Sequence, residues 1–276
     1  MNLHTALLQG AKLLEDGRIL VPRLTAEVLL CHAVQCERPY LYAHPEQELR
    51  EVEWLHYGRY LHQRLEGKPT QYITQKQEFY GREFRVNPDV LIPRPETEHV
   101  IEAVLKLDVP NARMVDVGCG SGAIAVTLAL ECPSVVMATD ISPAALAVAS
   151  VNARKLGARV EFLACDILSA ISDQSIDVIA SNPPYVALGE KPHLQREVRD
   201  WEPDVALFAG PTGFEIYERL IADAARVLRP LGWLVVELGF RAHRGVSEMV
   251  STGWTNHRTT NDLAGIPRVL ACQKAN

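Results

Sequence analysis

The sequence predicts an α/β fold in which a parallel sheet, covered on both faces by helices, follows a small helical segment. Two observations carry this prediction. From about residue 112 onward, short runs of continuous apolar residues alternate with helical patterns, which is typical of parallel strands buried on both faces. Residues 1–72, in contrast, show apolar residues at helical spacing and no strand pattern.

Length and composition are those of a globular protein with a sizeable core. The chain has 276 residues, of which 47% are hydrophobic and 22% charged, enough for one medium domain and a smaller one. No apolar run reaches the ~18 residues of a membrane span, and Met1 to Gly10 lacks the pattern of a signal peptide. We therefore expect a cytoplasmic protein with no membrane partner.

The net charge of −6 disfavours a protein that grips nucleic acid through its phosphates, so no stable nucleic-acid binding is expected. The six cysteines form no CxxC pair and none stands near a histidine at zinc-finger spacing. Free, reduced and mostly buried thiols are predicted, and no metal site.

The first 98 residues divide into a helical bundle, residues 1–72, and a hairpin linker, residues 73–98. Residues 77–86, QEFYGREFRV, alternate around a glycine as a β-hairpin does. The two prolines of the following LIPRPETE segment predict an extended path, and Thr97 is placed to cap the next helix. Helical spacing is found at Leu3, Leu7, Ala11 and Leu14, then over 25–34, then from Leu49 to Leu65.

Residues 99–276 are predicted to form the sheet-containing domain. Strands are predicted at 114–117, 135–139, 160–164, 176–180, 233–238 and 269–273, the last of undetermined orientation. Helices are predicted at 121–131, 142–156 and 214–228, the second with Ser142 as its cap and Pro143 at its first position.

A glycine-rich turn follows the first of these strands and opens a helix: Gly118, Cys119, Gly120, Ser121 and Gly122. Glycines permit a sharp turn and a close approach of the backbone to a ligand. About twenty residues later, Asp140 ends the next strand, where a carboxylate accepts hydrogen bonds from ribose hydroxyls. The pair predicts a cofactor that contains a nucleoside and leaves NAD and S-adenosylmethionine open. Asp166, at the end of the third strand, is a candidate for the adenine amino group.

A second element, Asn182-Pro183-Pro184-Tyr185, follows the fourth strand. Ligands of an open parallel sheet bind outside the carboxyl ends of its strands, which places Asn182 beside the cofactor. The prolines stiffen the backbone and lack N–H donors, so the motif offers the acceptors Asn182 Oδ1 and the Pro183 carbonyl. Acceptors suit a planar –NH2 substrate, and Tyr185 is suited to pack on its flat face. Alignment of a poor nitrogen nucleophile with an activated methyl is then the main catalytic task.

With these motifs the chain resembles the S-adenosylmethionine-dependent amino-methyltransferases, and within them the release-factor glutamine methyltransferases (the HemK/PrmC family). The resemblance covers nearly the whole chain. Beyond Asn182–Tyr185 it is carried by Thr70–Ile73, Phe79–Gly81, Val90–Glu98, Glu202-Pro203 with Ala206–Gly210, and Asp262–Gly265 with Arg268. Ile167 departs from the family pattern, in which this position is often aromatic.

The resemblance implies an N-terminal helical bundle that docks the substrate, joined by a β-hairpin to a seven-stranded, Rossmann-like class I methyltransferase domain. It implies methyl transfer from S-adenosyl-L-methionine to the glutamine side-chain amide in the Gly-Gly-Gln motif of bacterial-type peptide chain release factors. Carried over to this chain, it implies that residues 118–122, Asp140 and Asp166 bind cofactor, and that Asn182 touches cofactor and substrate. Pro183, Pro184 and Tyr185 would bind the glutamine, with Asn182, Pro183 and Tyr185 as the catalytic set.

Three alternatives remain open at this point. An adenine or guanine amino-methyltransferase uses the same Asn-Pro-Pro-Tyr chemistry, although it usually has a basic face and must often flip its base. A sister family methylates a glutamine of a ribosomal protein, and its linker typically reads PRSP where this chain has PRPE over 93–96. A non-catalytic nucleoside-binding protein is disfavoured by the intact motif.

Overall fold

The structure, a computed structural model, describes all residues from Met1 to Asn276. It contains twelve α-helices, which are α1 Leu3–Asp16, α2 Pro22–Val34, α3 Arg38–Ala43, α4 Glu51–Leu65, α5 Thr70–Thr74, α6 Glu98–Leu105, α7 Ala123–Glu131, α8 Pro143–Leu156, α9 Arg196–Trp201, α10 Asp204–Leu207, α11 Glu215–Val227 and α12 His243–Met249. Its eleven strands are β1 Lys76–Phe79, β2 Arg82–Arg85, β3 Arg113–Val117, β4 Val135–Asp140, β5 Val160–Ala164, β6 Ile176–Ser181, β7 Val186–Ala187, β8 Phe208–Gly210, β9 Leu228–Glu237, β10 Trp254–Asn261 and β11 Pro267–Lys274. Two short 3-10 helices span Pro95–Thr97 and Leu188–His193.

The chain forms two compact units. One consists of Met1–Lys76 together with Gln195–Trp201, and the other of Gln77–Leu194 with Glu202–Asn276. Helix α9 follows the Asn-Pro-Pro-Tyr element in the chain but belongs to the helical unit, which was not predicted. Within that unit, Arg64 of α4 pairs with Glu197 of α9 at 2.5 Å.

The helical unit has an apolar core of its own, to which α1, α2 and α4 contribute most. The predicted stripe of α1 is confirmed, because Leu3, Leu7 and Leu14 are all buried. Tyr57 of α4 is fully buried, and its hydroxyl occupies the position that a Cβ on Gly10 would need, 1.9 Å away. A glycine on α1 therefore lets α4 pack closely against it.

The second unit is built on a seven-stranded sheet in the order β10-β11-β9-β6-β3-β4-β5. Strands β9, β6, β3, β4 and β5 are mutually parallel, and β11 runs antiparallel to both of its neighbours. The predicted α/β fold is therefore confirmed, and the structure supplies the orientation of the last strand. Strand β10 was not predicted.

The two faces of the sheet bury two separate cores, as alternating side chains of the strands require. Met114 and Val178 point to the face covered by α6, α7 and α8, whereas Val115 and Ile179 point to the face covered by α11 and α12. Because both faces are covered, the strands read as continuous apolar runs in the sequence. This arrangement leaves the carboxyl edge of the sheet as the accessible place for a ligand.

Strands β1 and β2 form the predicted hairpin. Its turn residues Tyr80 and Gly81 both have positive φ, 50° and 67°, the conformation that matches the twist of two-residue hairpins. At the end of β2, the backbone N and O of Arg85 exchange hydrogen bonds with the fully buried Asn152 of α8, at 2.7 and 2.9 Å. It also donates to the Ser121 carbonyl at 2.9 Å, so one side chain joins the hairpin to the glycine turn.

Helix starts agree with the sequence in one case and differ in another. The Ser142 hydroxyl accepts from the Ala145 N–H at 3.2 Å and caps α8 as predicted. The predicted capping role of Thr97 is wrong: the residue precedes α6, but its side chain makes no capping bond. Its hydroxyl is instead engaged with side chains from two strand ends, which removes it from competition for the helix N–H groups.

Candidate active site at the carboxyl edge of the sheet

The strand register brings the two predicted motifs side by side. After β3 the chain adds β4 and β5 on one side of the sheet and then returns to place β6 on the other side, which makes the β3–β6 boundary a topological switch point. Val117 is paired with Ser181, and the Ser181 hydroxyl donates to the Val117 carbonyl at 2.7 Å. The next residues on the two strands are Gly118 and Asn182. The glycine turn and the Asn-Pro-Pro-Tyr element therefore begin at adjacent positions on neighbouring strands.

The glycine turn has the shape of a ligand cradle. Gly118 and Gly120 have φ values of 71° and 52°, and a Cβ on either would meet no atom within 4 Å. Both positions thus leave open space beside the backbone. Gly122, with φ of 80°, has another role, because its Cβ would lie 3.0 Å from the Cβ of Ala149 in α8. The third glycine permits helix packing, and the first two permit approach of a ligand.

Cys119 and Ser121 are buried in this turn, at 7% and 2% exposure. Burial raises the pKa of the Cys119 thiol well above its ordinary value, so the residue is no nucleophile at neutral pH. The N–H groups of Gly118 and Cys119 both bond to the Thr139 carbonyl. Neither Cys119, Ser121 nor Gly122 lines the cavity described below. Their contribution to cofactor binding stays a prediction.

Asp140 ends β4 and holds the glycine turn from the opposite side. Its Oδ2 accepts from the Gly120 N–H at 2.9 Å, and its Oδ1 accepts from the Ser142 N–H at 2.8 Å. A carboxylate has about four lone-pair sites, so acceptor capacity remains on each oxygen. The side chain is positioned by backbone donors before any ligand arrives, which suits the predicted contact with two ribose hydroxyls.

A cavity of ≈ 290 Å³ lies at this edge of the sheet, close to the lower end of the roughly 300–1,000 Å³ of ligand pockets. Of the predicted site residues, Gly118, Gly120, Asp140, Asp166, Asn182, Pro183 and Pro184 line it. Residues that the sequence analysis did not assign complete the wall: they include Asp89 to Leu91, Val205, Phe208, Ile216 and Arg219. Glycine backbone, a preoriented carboxylate and apolar walls together fit a nucleoside-containing cofactor.

Asp166 reaches the cavity with one oxygen already occupied. Its Oδ2 accepts from Arg219 Nη2 of α11 at 2.5 Å, and 46% of the side chain is exposed. Ile167, beside it, has a φ of 52° and lines the same cavity. The structure therefore places Asp166 on the wall of the cavity, with an arginine partner that the sequence did not reveal. Its contact with adenine stays a prediction.

Asn182 belongs to a hydrogen-bonded chain that the sequence analysis missed. Its Nδ2 donates to Thr97 Oγ1 at 3.1 Å, and Thr97 Oγ1 donates to Glu237 Oε2 at 2.6 Å. No donor of the protein contacts Asn182 Oδ1. Thr97 and Glu237 are buried, at 4% and 2% exposure. The signal for Glu237 was its place inside the predicted apolar strand 233–238, where a buried carboxylate is unusual.

The Tyr185 ring packs against Gly239, just after strand β9. Its hydroxyl donates to Glu237 Oε1 at 3.4 Å, and burial raises the pKa of its phenol. A Cβ on Gly239 would lie 2.9 Å from the ring atom Cδ2. Tyr185 does not line the cavity. Its predicted stacking on a flat substrate group therefore requires the substrate to approach the site from the side on which Tyr185 lies.

The extended linker is fixed to the site by Glu202. Its Oε1 accepts from Arg94 Nη2 at 2.5 Å, and its Oε2 accepts from the Ile92 N–H at 3.3 Å. Its side chain is 1% exposed, and a buried carboxylate in this position is stabilised by charge-assisted bonds. Two segments singled out by sequence resemblance, the linker and the Glu202-Pro203 loop, are therefore joined by direct contacts, and the linker carries Thr97 to its position.

The chain is similar to known proteins in sequence and in fold. Residues 5–74 match the model of the PrmC N-terminal domain, and residues 97–197 match the methyltransferase small domain. A release factor glutamine methyltransferase of Koribacter versatilis is 47% identical over 99% of this chain and 99% of its own length. The chain belongs to the release factor glutamine methyltransferase family. A second member, from Nitratidesulfovibrio vulgaris, is 42% identical over 95% of this chain and 91% of its own length.

The solved structure of a methyltransferase from Pyrococcus furiosus shares the fold, with a TM-score of 0.53, 18% identity, and coverage of 71% of this chain and 91% of the other. The predicted class I methyltransferase fold is thereby confirmed. The enzyme uses S-adenosyl-L-methionine, as predicted, and the alternative of NAD is excluded by the family.

None of the helices combines the length and apolar character that crossing a membrane requires. No group of three or more His, Cys, Asp or Glu side chains is placed to hold a metal ion, and all six cysteines are free, with Cys31, Cys119 and Cys272 buried.

Proposed function

We propose that this enzyme transfers a methyl group from S-adenosyl-L-methionine to the side-chain amide nitrogen of the glutamine in the Gly-Gly-Gln motif of peptide chain release factors. Bacterial-type release factors are its proposed protein partners. The observation that carries the proposal is the hydrogen bonding of the Asn182 side-chain amide. Its nitrogen is bonded to Thr97, which leaves its oxygen unpaired beside the cavity of the glycine turn.

An acceptor in this position selects a donor as substrate. The glutamine side chain ends in a planar –NH2, which offers two N–H groups. Asn182 Oδ1 is proposed to accept one of them and the Pro183 carbonyl the other. Pro183 and Pro184 contribute no N–H of their own, so the loop presents no donor at these positions that competes with the substrate nitrogen.

The main catalytic requirement is alignment of the amide nitrogen with the methyl group. S-adenosyl-L-methionine supplies a methyl group that is already activated by its bond to a sulfonium. The amide nitrogen is a poor nucleophile. Holding it in line with that methyl is therefore the main way in which the protein lowers the barrier. As the new N–C bond forms, the bond between the methyl carbon and the sulfonium sulfur breaks, and its electron pair leaves with S-adenosyl-L-homocysteine. Positive charge develops on the nitrogen, and the fixed oxygen of Asn182 stabilises it electrostatically. The nitrogen then releases one proton to solvent.

The helical unit is proposed to dock the release factor. Its match to the PrmC N-terminal domain supports this role, and so does its surface. On α4, Val52 and Leu55 are 49% and 69% exposed, and their spacing puts them on one face of the helix. Neighbouring exposed apolar side chains of this kind often mark protein interaction sites.

The proposed function is tested by a methylation assay with labelled S-adenosyl-L-methionine and several separate substrates. These are a bacterial release factor, the same factor with its Gly-Gly-Gln glutamine changed to glutamate, ribosomal protein, duplex DNA and ribosomal RNA. The labelled position is located by mass spectrometry. The expected result is a mass increase of one methyl group on that glutamine and none in the glutamate variant, which has no –NH2.

The other outcomes separate the alternatives. Label on the ribosomal protein alone would transfer the substrate to the sister family. Label on nucleic acid alone would keep the chemistry of Asn182 and Pro183 but refute the release factor as substrate. No label on any substrate, while S-adenosyl-L-methionine binds, would refute the proposed reaction.

A further inference from the structure

Three elements converge on the Asn182 side chain. Asn182 follows β6, Thr97 ends the 3-10 helix Pro95–Thr97, and Glu237 ends β9. Ser181 is paired with Val236 in the parallel register of β6 and β9, so Asn182 and Glu237 are the next residues on adjacent strands. The linker then places the Thr97 hydroxyl between them, 3.1 Å from Asn182 Nδ2 and 2.6 Å from Glu237 Oε2.

The direction of these bonds is determined by counting donors. A threonine hydroxyl has one proton and two lone pairs, and an ionised carboxylate can only accept. Since Thr97 gives its proton to Glu237, it can offer only a lone pair to Asn182. The amide must then present its Nδ2 to Thr97. The reverse orientation would turn Asn182 Oδ1 against an oxygen with no proton left to give.

Burial makes this preference strong. Thr97 and Glu237 are almost fully shielded from solvent, so water cannot supply the missing donor or acceptor. An unsatisfied polar atom in such a place is costly because it loses its solvation without compensation. The bonded orientation is therefore maintained before a substrate arrives.

We propose that Thr97 and Glu237 are positioning residues that fix the orientation of the Asn182 amide, so that its oxygen faces the substrate nitrogen. The inference rests on the proposed function, in which Asn182 Oδ1 accepts from the glutamine –NH2. Neither residue touches the substrate in this scheme. A free asparagine amide would present its NH2 to the substrate part of the time, and the two NH2 groups would repel each other.

The same carboxylate also contacts the other end of the motif. Tyr185 donates to Glu237 Oε1, so Glu237 is connected to both Asn182 and Tyr185. Burial, and secondarily the nearby Glu96, raise the pKa of Glu237 to about 7, whereas the bonds from Thr97 and Tyr185 and the charge of Arg268 act in the opposite direction. The Tyr217 hydroxyl packs from α11 and donates to the Glu237 backbone carbonyl.

This titration gives the proposal a measurable signature. The ionised carboxylate is an acceptor at both oxygens, so it allows a single direction for the Thr97 hydroxyl. The protonated form can donate to Thr97, and this reverses the chain. Turnover should therefore rise as pH increases through about 7, the value at which Glu237 ionises.

The test uses three variants of the full-length enzyme: Thr97→Val, which removes the hydroxyl at constant shape, Thr97→Ser, which keeps it, and Glu237→Gln. Single-turnover methylation of the release factor, calorimetry with S-adenosyl-L-methionine and thermal unfolding are measured for each. We expect Thr97→Val to lose about tenfold or more in rate, the equivalent of one hydrogen bond. Thr97→Ser should stay within about threefold of wild type, and cofactor affinity should change little in either.

Equal rates for Thr97→Val and wild type would overturn the proposal. If Thr97→Val does not fold, Glu237→Gln decides, because its amide can either accept or donate and so fixes no direction at any pH. Its rate should be lower than that of wild type and independent of pH around 7. A pH profile that matches wild type would overturn the role of Glu237.

A measurement without turnover separates this inference from the proposed function. The side-chain amide protons of Asn182, assigned in NMR spectra by comparison with Asn182→Ala, should exchange slowly with solvent in wild type and rapidly in Thr97→Val. Equal exchange in the two would overturn the inference. Slow exchange in a wild-type enzyme that leaves release factor unmethylated would refute the proposed substrate and leave the orientation of Asn182 intact.

Discussion

Thr97 and Glu237 are 140 residues apart in the sequence, yet the hydroxyl of one donates to the carboxylate of the other at 2.6 Å. The bond joins the end of the proline-containing linker to the end of strand β9. Because Glu237 neighbours Asn182 in the strand register, one contact connects the linker, the sheet and the proposed substrate-binding amide. Residues far from each other in the chain thus determine how a short local motif is presented.

Replacing Asn182 by alanine is expected to lower turnover by roughly 10²–10³-fold, as removal of one group that bonds the transition state does. Cofactor affinity should fall only modestly, since the glycine turn and Asp140 remain. Rates of release-factor methylation and calorimetry measure the two effects. Asn256→Ala, at an exposed position on β10, is the matched control and should behave as wild type. Near-normal turnover in Asn182→Ala would contradict the role of its oxygen.

Asp140 and Asp166 are expected to differ in their contribution to cofactor binding. Asp140→Ala should weaken S-adenosyl-L-methionine binding by roughly 1.5–3 kcal/mol, the range of a charge-assisted hydrogen bond. Asp166→Ala should cost less than about 1 kcal/mol, because its carboxylate is half exposed and paired with Arg219. Calorimetry on both variants gives the comparison. Unchanged affinity in Asp140→Ala would refute the ribose assignment.

Gly239→Ala tests the placement of Tyr185. The added Cβ would lie 2.9 Å from the ring, so the ring must move, and displacement of a positioning group can reduce kcat/KM by about tenfold to a hundredfold. Gly189→Ala is the control, since its Cβ would meet no atom within 4 Å. The thermal midpoint reports whether the fold survives. If both variants retain wild-type kcat/KM, Tyr185 does not need its present position.

The docking role of the helical unit is tested on α4. Changing Val52 and Leu55 together to glutamate should lower kcat/KM for the release factor by roughly tenfold or more, because buried interface anchors typically contribute above 1 kcal/mol. Affinity for S-adenosyl-L-methionine should not change. Leu20→Glu, at a residue 68% exposed between α1 and α2, is the control. An equal loss in the control, or no loss in the double variant, would argue against this face.

Asp116 should make stability depend on pH. Burial raises its pKa from 3.8 to about 7, so between these values the folded state binds a proton that the unfolded state has released. Its contribution is therefore full below about pH 4 and is lost as pH rises to about 7, by roughly 4 kcal/mol if the shift is taken in full. Urea unfolding without cofactor measures it. Relative to wild type, Asp116→Asn should gain stability from pH 5 to pH 8; a constant difference would contradict the shifted pKa.

The sequence predicted those parts of the site that depend on neighbouring residues. The glycine turn could be recognised in the sequence because the positive φ at Gly118, Gly120 and Gly122 favours glycine at these positions. The rigid Asn-Pro-Pro-Tyr element is visible because proline restricts the backbone locally. Both follow strands whose continuous burial leaves an apolar run in the sequence. The fold class followed from these local patterns, and the cofactor was implied by the family resemblance that they carry; fold class, cofactor and family are confirmed by the comparisons.

Strand β10 could not be predicted from the sequence, and the reason is physical. It lies at the edge of the sheet, and most of its side chains are exposed, so it shows neither an apolar run nor alternation. The orientation of β11 depends on β9 and β10 together. Helix α9 joins the helical unit through contacts such as Arg64 with Glu197, which are 133 residues apart.

By itself, the sequence determined the fold class, six of the seven strands of the main sheet, the two motif turns and the residue types that a methyl-transfer site needs. Tertiary structure decided which of these polar groups are bonded to each other. Thr97 was predicted as a helix cap because its local sequence allows that bond, but a buried carboxylate on a distant strand offers its hydroxyl a stronger, charge-assisted partner. Hydrogen-bond partners of this kind are set by strand register and burial, which are properties of the folded chain.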